Sequence, residues 1–149
     1  MRKSVFVIAV LAFSLAACSP TPPKPIADNF NSKFSGATKV KWDQEEENEW
    51  EAEFYLDGNE MSASFDNAGT WLETEKEIKA NELPSTVAEV VNSKYSDYKV
   101  EEMAELIKSD FLGYEISLKK GDTEIEIQVL SNGTINNIKR IVDDEEDED

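Results

Sequence analysis

Residues 50–78 read WEAEFYLDGNEMSASFDNAGTWLETEKEI, and residues 114–141 read YEISLKKGDTEIEIQVLSNGTINNIKRI. In the first stretch Trp50, Ala52, Phe54 and Leu56 alternate with Glu51, Glu53 and Tyr55. Met61, Ala63 and Phe65 then alternate with Ser62 and Ser64. A period of two places one apolar row on one face of a sheet. Asp57-Gly58-Asn59 supplies a hairpin turn, Asp66-Asn67-Ala68-Gly69 a second, and Thr70–Glu77 the third strand. The second stretch repeats the plan. Tyr114, Ile116 and Leu118 alternate, Gly121-Asp122 turns, Ile125, Ile127 and Val129 alternate, and Ser131-Asn132-Gly133 turns again. A shift of about 64 positions lays Trp50 on Tyr114, Phe54 on Leu118, Phe65 on Val129, Gly69 on Gly133 and Trp71 on Ile135. Matching turns and matching inward rows point to one supersecondary unit used twice.

The flanking segments supply a helix to each meander. Ile26, Phe30 and Phe34 recur every fourth residue, which predicts a short helix over Ile26–Phe34. Lys39–Asp43 reads as a strand with Val40 inward, and Glu45–Glu49 as a charged loop. In the second half, Leu83-Pro84-Ser85 opens a helix whose stripe is Leu83, Val87, Val90, Val91 and Lys94, apolar until its last turn. Val100–Ile107 follows as a strand whose irregular alternation suggests a bulge. Helices segregated to one side of antiparallel strands make an α+β fold, a tandem repeat of a helix packed on an antiparallel β-meander. The repeats span about 26–78 and 83–141, within a domain of residues 26–142.

Both ends of the chain read as something other than domain. Arg2 and Lys3 precede the apolar run Val5–Leu15, which is short for a membrane span, so residues 1–17 read as a secretory signal peptide. Leu15-Ala16-Ala17-Cys18 resembles the bacterial lipobox. That resemblance implies cleavage before Cys18, a diacylglyceryl thioether on its sulfur and an acylated amino terminus. Such palmitate-type chains anchor strongly, since each buried CH₂ adds roughly 0.8 kcal/mol. Ser19, in place of an aspartate, points to the outer membrane, and no acidic cluster follows Cys18 to direct surface export. The expected location is the periplasmic face of the outer membrane. Residues 18–25 then form a lipidated tether rich in proline, and 143–149, DDEEDED, an acidic disordered tail.

Composition removes several function classes. The 149 residues contain no histidine and one cysteine, which disfavours nucleophile–base pairs and zinc or copper sites. The formal net charge is −17, and loss of Arg2 and Lys3 makes the mature chain still more negative. That charge repels nucleic acid, so no nucleic-acid partner is expected. Asp57, Asn59, Asp66 and Asn67 are oxygen ligands near turns, but no loop has the spacing of a calcium-binding loop. They read as turn residues, as does Asn132-Gly133-Thr134. No metal, cofactor or catalytic residue is expected. Glutamates are plentiful, yet no spacing singles out a pair for acid–base work.

Three groups of residues then look like a known family. They are Phe30-x3-Phe34-x2-Ala37-x2-Val40-x-Trp42, Phe65-Asp66-x2-Gly69-x-Trp71-Leu72-x-Thr74-Glu75, and Leu83-Pro84-x2-Val87 followed by Tyr95-x2-Tyr98. Together they resemble the PepSY-like, β-lactamase-inhibitor-like proteins secreted by Bacteroidetes. The FDxxGxWLxTE stretch is the most specific part. One departure is Ser35, where the family often has proline. The resemblance implies a β-lactamase-inhibitor-protein-like fold and no established activity.

Trp42, Trp50 and Trp71 read as cover for the sheet–helix core, with exposed binding anchors as the other reading. Tyr55 is the better contact candidate. It faces away from Trp50 and Phe54, in one outer row with Glu51 and Glu53, and such a face suits a basic partner. The expected function is therefore a lipid-anchored periplasmic binding module, not an enzyme. It would join the membrane through the lipid on Cys18 and contact an envelope protein through Tyr55, Glu51 and Glu53, as an inhibitor or regulator. The alternatives are an envelope protein that binds a small ligand or a cation such as calcium, and a carboxylate-based hydrolase.

Overall fold

The computed structural model describes residues 20–141. The segment expected to be a signal peptide, Cys18 and the acidic residues 143–149 lie outside the described residues. The chain divides into two compact units, with the boundary between Lys76 and Glu77 at the end of a strand. In chain order, unit 1 holds α1 (Lys24–Lys33), β1 (Thr38–Glu46), β2 (Glu49–Leu56), β3 (Asn59–Asp66) and β4 (Trp71–Glu77). Unit 2 holds α2 (Ser85–Lys94), β5 (Lys99–Lys108), β6 (Leu112–Lys120), β7 (Thr123–Val129) and β8 (Ile135–Ile141). Within each unit the strands lie side by side in chain order and pair antiparallel. The architecture is α+β: antiparallel meanders with few helices.

In unit 1 the alternation of β2 and β3 becomes the core. Ile26, Phe30 and Phe34 of α1 pack on Trp50, Ala52, Phe54, Ala63 and Phe65, all buried. Ala52 and Ala63 lie opposite each other in register. These small residues leave room for rings. Phe30 fills it, with its centroid 5.0 Å from Phe54 and 5.2 Å from Trp42, both edge-on. Trp50 is part of this core, and Trp42 and Trp71 pack against it. In unit 2 the core is aliphatic. Val87 and Val91 of α2 sit on Ile116, Leu118, Ile125, Ile127 and Val129. Each fully buried side chain of this kind stabilises by roughly 1.5–3 kcal/mol.

In each unit a helix side chain donates to a carbonyl in the turn before the last strand. In unit 1 Asn29 Nδ2 donates to Gly69 O at 2.6 Å, in the turn before β4. In unit 2 Thr86 Oγ1 donates to Ser131 O at 2.6 Å, in the turn before β8. Gly69 (φ +86°) and Gly133 (φ +85°) occupy these turns, and a Cβ on Gly69 would come within 2.9 Å of the Pro25 backbone. Positive φ and close approach both require glycine there.

Three local expectations differ from the structure. α1 begins at Lys24, two residues early, with Pro23 at the N-cap. Proline in a first turn forfeits no hydrogen bond, so Pro25 does not delay the helix. Val40 is 36% exposed, not inward. Lys39 takes a positive φ of 55° and the β1–β2 register shifts between Thr38 and Lys41, which re-aims the side chain. The charged segment 45–49 is no loop: β1 runs to Glu46, β2 starts at Glu49, and Glu47-Asn48 alone make the turn. Asn67 secures that turn by donating to Glu47 O at 3.0 Å and Asn48 Oδ1 at 3.1 Å. The expected irregularity in β5 is present as a register shift between Val100 and Glu102.

A carboxylate face on unit 1

The residues of β2 that avoid the core define the candidate site. Trp50, Ala52 and Phe54 are buried against α1, so Glu51, Glu53 and Tyr55 point to the opposite face. The structure puts these three residues in one half-buried row, as the alternation predicts. Register then extends the row into a surface. One line across the strands is Asp43, Glu51, Ser64 and Glu73. The next is Lys41, Glu53, Ser62 and Glu75. Serines of β3 thus separate glutamates of β2 from glutamates of β4. Ser64 and Glu73 are buried on this side, at 1% and 4% exposure.

Tyr55 closes one end. Its hydroxyl donates to Glu60 Oε2 at 2.9 Å, and Lys39 Nζ lies 4.8 Å from its ring centroid. The ring therefore already serves as a cation platform within the chain.

Glu51 is the electrostatic centre. Burial pushes its carboxyl up to about 7, helped by the charges of Glu45, Glu53 and Glu73 and opposed by a hydrogen bond with Ser62. Glu45 is raised too, by burial and then by Asp43, while a hydrogen bond with Glu51 opposes the rise. Glu45 and Glu51 are thus coupled neighbours on adjacent strands, each with its carboxyl raised chiefly by burial. Sequence reasoning missed Glu45, Ser62, Ser64, Glu73 and Glu75 as members of this face. Their alternation was visible, but only register shows which strands are neighbours.

The turn carboxylates do different work. Asp66 Oδ1 accepts from Ala68 N at 2.9 Å and Thr70 N at 2.7 Å. Asn67 Oδ1 accepts from Trp50 Nε1 at 3.1 Å. These groups stabilise turns, as their composition predicts. Among the described residues no three acidic side chains converge as metal ligands, and no helix is long and apolar enough to cross a membrane.

Comparison with known proteins follows the same lines. The sequence profile described as "Putative beta-lactamase-inhibitor-like, PepSY-like" matches residues 48–137, more than half of the chain. No curated protein matches in sequence. Among solved structures, a BLIP-like protein of Bacteroides fragilis is 24% identical with a TM-score of 0.68, the match covering 82% of this chain and 88% of that one. A DUF2874 family protein of Bacteroides ovatus is 19% identical with a TM-score of 0.72, covering 84% and 92%. A protein of Bacteroides eggerthii described as a "putative periplasmic" protein is 16% identical with a TM-score of 0.70, covering 82% and 91%. At these identities the likeness is one of fold.

Proposed function

Because the chain belongs to the PepSY-like, β-lactamase-inhibitor-like family, we propose that it is a non-enzymatic binding module of the cell envelope. Its partner is an envelope protein with a basic surface, which it inhibits or regulates. The contact is the outer face of unit 1, centred on Tyr55, Glu51 and Glu53. The observation that carries this reading is the pair of cross-strand lines in which glutamates flank serines beside an aromatic platform. Rows of carboxylates hold lysine or arginine side chains, and the excess of negative charge steers such a partner in. Affinity should fall steeply with ionic strength.

The remaining parts of the proposal follow from the two ends of the chain and its internal plan. Cys18 carries the lipid, and the mature chain is held at the periplasmic face of the outer membrane. The periplasmic description of the Bacteroides eggerthii neighbour supports that compartment. The two units arose by duplication. The shared order of one helix and four strands, and the close approach of Gly69 to the Pro25 backbone and of Gly133 to the Thr86 backbone, support that origin.

The Glu45–Glu51 pair also has the raised carboxyl that a carboxylate hydrolase needs. Binding is preferred because the serine-centred lines and Tyr55 extend beyond that pair, across β2, β3 and β4.

Cross-linking in cells, followed by mass spectrometry of captured proteins, tests the proposal. The control is the double variant Tyr55→Ala, Glu53→Lys. One dominant envelope partner, lost in the variant, is expected. Capture that is equally strong in the variant would move the contact elsewhere, and no reproducible partner would end the binding-module reading.

A further inference from the structure

The outer face of unit 1 holds one residue whose place the backbone does not explain. Thr38 pairs with Tyr55 and Lys41 with Glu53, so two residues of β1, Lys39 and Val40, stand against Phe54 alone. That is a bulge of one extra residue. Lys39 takes it up with a φ of 55°. A left-handed bulge position usually falls to glycine, and asparagine or aspartate tolerates it next best. Among the described residues the other non-glycine with positive φ is Asp57, which stands in a tight turn before Gly58. Lysine at position 39 therefore carries backbone strain that glycine or asparagine would lessen. Its side chain accounts for its presence. Lys39 Nζ lies 4.8 Å from the centroid of the Tyr55 ring, and the Tyr55 hydroxyl donates to Glu60 Oε2 at 2.9 Å. A phenol that donates to a carboxylate is polarised toward a more electron-rich ring, which improves the platform for a cation. Lys39 is exposed and Tyr55 half-buried, so the ammonium comes to the ring from solvent.

We infer that Lys39 is an internal stand-in for a lysine of the partner: its ammonium covers the Tyr55 ring in the free protein, and the partner's lysine displaces it and takes the same place. The inference rests on the reading of this face as a contact for a basic partner, and it names the side chain that the face receives. The present occupant sets the chemistry of the guest, an ammonium on an alkyl stem. An exposed cation–π contact is weak, so a side chain supported by further contacts can replace it. The row supplies those contacts. Glu53 and Glu51 continue from Tyr55 along β2 and attract a second basic residue of the same partner. The stand-in thus acts as a threshold. A lone cation competes poorly with Lys39, because Lys39 is tethered beside the ring, whereas a partner that also engages Glu51 and Glu53 overcomes it. Lys41 supplies the internal comparison, since it carries the same charge on the same strand but stands opposite Glu53.

The test is NMR titration of the isotopically labelled full chain in detergent micelles, at roughly 0.15 M salt to screen remote charges. The probe is a capped Gly-Lys-Gly-Lys-Gly peptide, and the control is the same peptide acetylated on both lysine nitrogens. Saturable shifts of the Tyr55 ring and the Glu60 carboxyl are expected, with none from the acetylated peptide. Lys39→Asn keeps a residue suited to positive φ and frees the ring. It should tighten binding about three- to sixfold, as removal of a competitor of that strength requires. Lys41→Asn removes an equal charge and should change affinity by less than about twofold. Tyr55→Phe keeps the ring and should retain binding, whereas Tyr55→Ala should abolish the shifts at Glu60. Dispersed spectra establish that the variants fold. Equal affinity in the parent and Lys39→Asn, an equal gain from Lys41→Asn, or no shift at Tyr55 in either protein overturns the inference. Cross-linking in cells can still capture an envelope partner in each of those cases. Failure of that capture with the peptide result intact counts against the partner and not against the displacement of Lys39, so the two readings fall separately.

Discussion

Glu51 stays protonated well above the ordinary glutamate range because burial and three neighbouring carboxylates disfavour its charge. Its carboxyl is raised from 4.5 to about 7 on folding, so folding takes up a proton between those values. The stabilisation is complete below pH 4.5 and is lost as pH rises through 7. At about 1.36 kcal/mol per pH unit, the loss is at most roughly 3.4 kcal/mol, and smaller once the screening that its partial exposure allows is counted. Glu45 is raised in the same sense and adds to it. Thermal unfolding should therefore show a lower Tm at pH 8 than at pH 5. Glu51→Gln should flatten that dependence and raise the Tm at pH 8. Parallel profiles for the two proteins would place the proton on another group. The identity of the outer row was legible at this scale, since Glu51, Glu53 and Tyr55 alternate with core residues. The raised carboxyl was not, because it depends on burial and on the charges of Glu45, Glu53 and Glu73, which only the fold brings about.

At the scale of elements, α1 depends on one side chain more than any other. Phe30 touches Phe34, Trp42, Phe54 and Phe65 within 6.3 Å between centroids and is 2% exposed. Phe30→Ala removes the rings' common partner and leaves a cavity under the helix. The expected cost is roughly 3–5 kcal/mol in urea denaturation. A loss below about 1 kcal/mol would mean that α1 contributes little to unit 1, whatever its contacts. The helices and most strands could be read from period, because burial of one face imposes it locally. The ends could not. Glu45–Glu49 looked like a loop for its charge, but cross-strand pairing and the Asn67 hydrogen bonds outweigh five polar residues' preference for solvent. Val40 looked inward, and a positive φ at Lys39 turned it out.

At the scale of the whole molecule, the proposed lipid anchor makes a separate prediction. In cells, Cys18→Ala should move the chain from the membrane fraction to the soluble envelope fraction, since the acyl chains would supply the anchoring energy. Retention of the variant in membranes would mean that something other than the lipid holds it there. The strongly acidic composition, the lipobox, the strand period and the family-specific FDxxGxWLxTE stretch are all properties of the chain in one dimension. They suffice for the class of fold, the family and the expected address, because each depends on neighbours in sequence. What only the tertiary structure decided is which side chains meet. The lines Asp43-Glu51-Ser64-Glu73 and Lys41-Glu53-Ser62-Glu75, and the coupling of Glu51 with Glu45, all arise from strand register. Alternation assigns each residue a face. Register assigns it a neighbour, and charge burial, hydrogen bonding and recognition are set by neighbours.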